Sequence, residues 1–260
     1  MKPFVRHIPN TLTCISLLFG FYAAILGIYG NYFGAMTAIL IAAVFDFVDG
    51  LSARLLKAYS AIGKELDSLA DVISFGVAPG MILFSYLDKL IHGLSWIDTP
   101  CSKVFLLAAF AIPVFSALRL AKFNVDERQK SSFIGLPVPA HAILWASLIA
   151  VLSSDACSCC CIFPQFSVIL ASIPSEVMLI GLSVFALGSS LLLVSNLPMF
   201  SLKMTSFSWK ANRLPYILII SAILLVLCFG IVGITLTILL YILLSCLFLS
   251  HQSVKKVNVP

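Results

Sequence analysis

The sequence predicts an all-α, polytopic integral membrane protein of about eight transmembrane helices with both termini cytoplasmic, and three observations lead there. Hydrophobic residues make up 61% of the 260 positions, charged residues only 10%, and the mean hydropathy is +1.09, far from soluble globular averages. The apolar residues fall into runs of the length a bilayer requires, about 17 to 25 residues. Basic residues gather in alternate loops between these runs.

The first run, near residues 12–30, follows Lys2 and Arg6, a pattern shared with secretory signal peptides. The stretch from Thr11 to Tyr29 is long for such a peptide, and no small-x-small cleavage site precedes a polar start, so a retained helix is expected. Further runs lie near 33–53, 66–87, 104–121, 135–153 and 177–194; the one at 104–121 is short and holds Pro113. The last run, Leu214 to Ser250, would extend about 55 Å as one helix at about 1.5 Å per residue, against a hydrocarbon core of about 30 Å. It is expected to fold back at Gly230-Ile-Val-Gly233, giving eight spans.

With eight spans and an internal N-terminus, fourteen of the sixteen Lys and Arg residues lie on the cytoplasmic side, and only Lys89 and Lys103 lie outside. Losing any one span would invert the loops downstream and spoil this segregation. The net charge of +5 is then a basic face against anionic lipid and gives no argument for nucleic acid. The expected location is the cell (inner) membrane. No internal repeat or separate soluble domain is visible, so residues 1–260 read as one membrane domain.

The acidic residues are the chemical feature. Asp46, Asp49, Asp67 and Asp71 lie where two apolar helices meet a basic loop, and carboxylates in a membrane need a cation or a function. Asp46 and Asp49 are i and i+3, Asp67 and Asp71 i and i+4, so each pair shares a helix face and two facing helices can pool four carboxylates. Oxygen ligands at that density suit Mg²⁺ or Mn²⁺, one or two ions, with positions left for substrate phosphates. Gly50, Ala53 and Gly63 line the same face; small residues there admit either a ligand or a neighbouring helix. Arg54 suits a phosphate through its planar fork and equally suits the membrane surface. A cation or proton transporter would spread its acids over several helices towards the midplane, whereas five of the eleven acidic residues lie within Asp46 to Asp71.

The string Asp46-x-x-Asp49-Gly50-x-x-Ala53-Arg54-x8-Gly63-x3-Asp67-x3-Asp71 resembles the complete signature of the CDP-alcohol phosphatidyltransferases. The resemblance implies a membrane-embedded transferase that moves a phosphatidyl group from a CDP-linked lipid to an alcohol and releases CMP. It makes Asp46, Asp49 and Asp67 metal ligands of two Mg²⁺ or Mn²⁺ ions, and Asp71 the general base and a further metal contact. Gly50, Ala53, Arg54 and Gly63 would line the CDP pocket. Pro9-Asn10-Thr11-Leu-Thr13 resembles the family's nucleotide-contacting segment, which adds Asn10 and Thr13; both residue types also cap helices. The resemblance further implies a homodimer.

Three more stretches resemble the serine-using, membrane-integral branch of that family: Leu118-Arg119-Leu-Ala-Lys122-Phe123-Asn124-Val125, Phe133-Ile-Gly135-Leu-Pro137-Val-Pro139-Ala140 and Val194-Ser195-Asn196-Leu-Pro198-Met-Phe200-Ser-Leu-Lys203. They imply CDP-diacylglycerol and L-serine as substrates, with glycerol 3-phosphate or inositol as the alternative acceptor. Serine carries a carboxylate and an ammonium, so its pocket needs cations and amides. Arg119, Lys122, Asn124 and Asn196 are the candidates, although basic residues are expected at cytoplasmic helix ends in any case.

The remaining reactive residue types carry no assigned role. Cys157-Ser-Cys159-Cys160-Cys161 falls in an outer loop without zinc-site spacing, leaving a disulfide, a thiol or an insertion. Cys14, Cys228 and Cys246 lie in apolar runs as small hydrophobes. His7, His92, His141 and His251 form no metal-ligand spacing, and Trp96 and Trp209 read as interface anchors.

Overall fold

A computed structural model describes residues 7–58, 60–93, 102–125, 133–153, 172–199 and 213–257. Helix α1 (Ile8–Ile28) carries Pro9 in its first turn, where a missing N–H removes no helical hydrogen bond. Gly30, at φ 76°, turns the chain back, and the Asn31 side chain caps α2 (Tyr32–Leu55) by accepting from the Gly34 amide at 2.9 Å. Helix α3 (Ala61–Asp71) is capped by Ser60 on the Gly63 amide, again at 2.9 Å. It continues through a π-helical stretch, Val72–Val77, into α4 (Ala78–His92). Ala61–His92 is therefore one helical run of 32 residues.

A 3₁₀ turn (Ser102–Leu106) leads into α5 (Leu107–Val125), with Pro113 inside it. Two-residue strand β1 (Phe133–Ile134) precedes α6 (Val138–Leu152); α7 (Ser175–Val194) precedes β2 (Pro198–Met199). The strands pair antiparallel, Phe133 opposite Met199 and Ile134 opposite Pro198. Helices α8 (Arg213–Phe229) and α9 (Ile231–Val257) close the described chain.

The fold is all-α and polytopic. Ile8–Ile28, Tyr32–Leu55, Ala61–His92, Lys103–Val125 and Ser175–Val194 are long and apolar enough to cross a membrane, and three shorter apolar helices, Val138–Leu152, Arg213–Phe229 and Ile231–Leu247, accompany them. Among the described residues, then, five apolar helices have full-span length and three are shorter, each falling on one of the expected apolar runs. The third starts at Ala61 rather than near residue 66, because Ser60 caps the helix ahead of its apolar part. The last run breaks at Gly230, whose φ of 59° suits glycine. Cys157–Cys161, Trp96 and Trp209 lie outside the described residues.

The side of α1 that faces the protein is built from small residues. Its buried positions are Pro9, Thr13, Ser16, Gly20, Ala23, Ala24 and Gly27, which lets neighbouring backbones approach closely. Ser16 Oγ donates to the Ala42 carbonyl of α2 at 2.9 Å, and Ser74 Oγ in the π stretch donates back to the Ser16 carbonyl at 3.1 Å. One turn on, a Cβ at Gly20 would overlap the Ser74 backbone and side chain. These contacts set how α2 and the α3–α4 run lie against α1. One apolar cluster, including Ile39, Phe75, Ile82 and Trp145, fills the space between the helices, while Phe21, Val44, Phe47, Val184 and Leu227 point outward, as a lipid solvent permits.

Gly20→Ala is expected to destabilise the fold by about 1–3 kcal/mol through overpacking. Gly181→Ala, on α7 with open space around it, should be neutral or slightly stabilising. Thermal unfolding in detergent measures both; equal melting temperatures for the two variants would refute the close contact.

Candidate active site

Carboxylates from α2 and α3 meet beside the N-terminal half of α1. Asp46, Asp49 and Asp67 each place a carboxylate oxygen within 4.8 Å of the others, the metal-capable cluster among the described residues. Asp49 is 5% exposed, and Asp46 and Asp67 are half-buried. Thr13 Oγ1 donates to Asp49 Oδ2 at 2.5 Å and fixes its orientation across 36 residues of sequence. Among the described residues no lysine or arginine forms an ion pair with any of the three acids. An all-oxygen, uncompensated donor set of this kind fits a hard divalent cation.

Asp71 is the fourth carboxylate of the expected pool. It is the last residue of α3, one turn beyond Asp67, where the helix passes into the π stretch. Its carboxyl comes within hydrogen-bonding reach of Asp46, which also reaches Asp67, so Asp46 stands between the trio and Asp71. Asp71 thus adjoins the trio without being part of it.

A cavity of about 240 Å³ opens beside Asp49 and Asp67. Its lining includes Asn10 and Thr13 from α1, Asp49, Gly50, Ala53 and Arg54 from α2, and Gly63 and Asp67 from α3. All six positions expected in a nucleotide pocket therefore face one space. Gly50 has no atom within 4 Å of where a Cβ would stand, so its bare backbone faces open room. A Cβ on Gly63 would come 2.8 Å from Asn10 Oδ1, so here the absent side chain admits α1. Asn10 and Thr13 are not caps: α1 begins at Ile8 and both lie within it, the Thr13 hydroxyl also standing 3.1 Å from the Pro9 carbonyl.

Ser60 and Lys64 also line the cavity, and sequence reasoning missed both. They sit at the N-terminus of α3, whose helix dipole favours negative charge. The Ser-x-x-Gly spacing ahead of the second acid pair was an available cap signal.

Of the acceptor candidates, Arg119 and Asn124 fall beside the acids on the α5 side. Arg119 is 8% exposed, close enough to Asp71 for electrostatic interaction, and its Nε has no hydrogen-bond partner. Asn124 Nδ2 donates to Ser68 Oγ at 2.9 Å, next to Asp67 in α3. Lys122 Nζ donates to the Val194 carbonyl and to Asn196 Oδ1, both at 3.4 Å. Gly135 N donates to the Leu197 carbonyl at 2.8 Å and Leu136 N to the Leu192 carbonyl at 3.2 Å. The three separate sequence stretches thus form one assembly. His141 is fully buried with Nε2 3.0 Å from Ser189 Oγ, a packing contact between α6 and α7 rather than a metal position.

Residues 6–187 match the model of the CDP-alcohol phosphatidyltransferase family. The chain belongs to that family. It is 35% identical over 135 residues to a protein of Bacillus subtilis, covering 52% of this chain and 71% of that one. It is 35% identical over 138 residues to a protein of Helicobacter pylori, covering 52% and 54%, and 31% identical over 147 residues to one of Methanocaldococcus jannaschii, covering 56% and 62%. Each of the three is named CDP-diacylglycerol–serine O-phosphatidyltransferase.

Thr13→Val should weaken divalent-cation binding about tenfold, the lower end of what losing an outer-shell partner costs, while Thr13→Ser retains it. Mn²⁺ titration followed by electron paramagnetic resonance reads this without turnover. Unchanged Mn²⁺ affinity in Thr13→Val would show that the hydroxyl does not orient Asp49.

Proposed function

We propose that this chain transfers the phosphatidyl group of CDP-diacylglycerol to the hydroxyl of L-serine, giving phosphatidylserine and CMP. The observation that carries the proposal is the cavity joining all six predicted nucleotide-pocket residues to Asp49 and Asp67 of the carboxylate trio. The names of the relatives support the acceptor.

Asp46, Asp49 and Asp67 would hold the metal, read as two Mg²⁺ or Mn²⁺ ions, with Asp71 as a further contact. When bound, such ions neutralise charge on the phosphoryl oxygens and help hold entering and leaving oxygens in line. Arg54, Lys64 and the N-terminus of α3 meet the charge of the diphosphate from the open side of the cavity. Gly50 and Ala53 leave room for the nucleotide. The serine oxygen attacks the phosphorus that bears the diacylglycerol, its bond to the CMP oxygen breaks, and CMP leaves with the electron pair. Asp71 takes the proton from the serine hydroxyl. Arg119 meets the serine carboxylate, with Lys122, Asn124 and Asn196 around the acceptor. One membrane domain spanning the chain, eight crossings with the site and both termini on the cytoplasmic side of the inner membrane, and a homodimer complete the reading. The segregation of basic residues supports the orientation, and the family resemblance supports the dimer.

Purified protein in lipid–detergent micelles with CDP-diacylglycerol, Mn²⁺ or Mg²⁺ and labelled serine should release CMP in proportion to serine. Release with glycerol 3-phosphate or inositol, and none with serine, would overturn the acceptor assignment. Asp71→Asn should lower kcat by about 10²- to 10⁴-fold while CDP-diacylglycerol binding partly survives; full activity removes its role as base. Asp49→Asn should raise the metal concentration for half-activity and weaken lipid-nucleotide binding together. An unchanged metal titration contradicts its place among the ligands.

A further inference from the structure

The α3–α4 run and α5 lie against each other with opposite chain directions, and three close contacts fix their register. A Cβ on Gly80 would come 3.0 Å from the Pro113 ring, and one on Gly76 would come 3.1 Å from the Ser116 Cβ. Further along, Asn124 Nδ2 donates to Ser68 Oγ at 2.9 Å. Arg119 falls between Ser116 and Asn124 on α5, as Asp71 falls between Gly76 and Ser68 on the facing run. The contacts therefore bring Arg119 level with the turn that holds Asp71.

Ser68 follows Asp67 directly, yet it belongs to neither the carboxylate set nor the cavity lining. Its hydroxyl has one proton, which goes to the Lys64 carbonyl at 3.2 Å, one turn back in α3. The oxygen is left to accept, and the Asn124 amide supplies the N–H. Helix α3 is held on another side by α1, which the bare Gly63 admits as far as Asn10. The end of α5 has less to fix it, since residues 121–125 are all exposed. Asn124 ties it to α3, and Lys122 ties it to Val194 and Asn196.

We propose that Ser68 is a positioning residue for the acceptor, which through Asn124 holds the end of α5 in register with α3 and so sets where Arg119 stands. The Arg119 guanidinium is 8% exposed with Nε unpartnered, so its place follows from the placement of α5 itself. Asn124 then serves the acceptor side through its bond to α3. This inference rests on the proposed role of Arg119 in binding the acceptor.

Ser68→Ala should raise the KM for serine about three- to tenfold, the range one neutral hydrogen bond spans, and leave the KM for CDP-diacylglycerol and the melting temperature unchanged. Ser68→Thr, which keeps a hydroxyl, should return the wild-type value. Asn124→Ala should give the same rise as Ser68→Ala, and the double variant no more than either alone, because all three lose one bond. Serine-dependent thermal stabilisation of the CDP-diacylglycerol-loaded protein, which needs no turnover, should weaken in Ser68→Ala as well. A wild-type KM in Ser68→Ala beside a large rise in Asn124→Ala would put Asn124 on the acceptor itself and overturn the inference. A lower melting temperature with both KM values unchanged would overturn it too, leaving the bond a scaffold contact. If serine fails in the wild-type protein and another acceptor works, the serine reading falls, and the same KM split measured with that acceptor decides the role of Ser68.

Discussion

Three carboxylates held within 4.8 Å of one another between apolar helices are the constraint on which the rest of the structure turns. Left to themselves they repel, and lipid offers nothing to solvate them. The chain keeps them in water's reach on one side, through a cavity lined by Arg54, Ser60 and Lys64, and bonds the most buried of them, Asp49, to Thr13. The rest of α1 follows from that demand. For Thr13 to touch Asp49, α1 and α2 must pack closely, and the small residues from Ser16 to Gly27 allow it. The same face seats Ser74, which fixes where α3 enters. Packing along α1 and charge at the site are one arrangement.

The acceptor side obeys a different logic. Its residues come from α5, the turn before α6 and the segment after α7, and none of these is near another in sequence. Backbone pairing of β1 with β2 and the Lys122 contacts with Val194 and Asn196 draw them together. Non-helical backbone at this point satisfies its own amides through Gly135 and Leu136, as burial requires. In the proposed reading the cavity on α1–α3 takes the nucleotide, and these stretches take the alcohol.

Much of this was legible in the sequence because it is written in short-range spacing. The i, i+3 and i, i+4 aspartates, Gly50, Ala53, Arg54 and Gly63 all lie within 26 positions, and helical periodicity alone places them together. The break at Gly230 was legible for a similar reason, since one helix of that length exceeds the bilayer. What stayed hidden depends on how distant helices cross. Thr13 meets Asp49 across 36 residues, and nothing local in either stretch announces it. The pairing of residues 133–134 with 198–199 likewise needs α6 and α7 in place first.

The π stretch at Val72–Val77 has a further consequence for how this segment can vary. A π turn holds one more residue than the α-helical turn it replaces. Removing one residue there would return the run to α-helix with the faces of α3 and α4 nearly in register, because the wide turn absorbs the extra residue, but it would close the widened turn that places Ser74 against α1 and Gly76 against Ser116. Ser74, Phe75 and Gly76 are buried in that turn, so the side chains of the segment are constrained along with their number. Between the last aspartate and α4, a change of length and a change of side chain therefore disturb the same contact with α1.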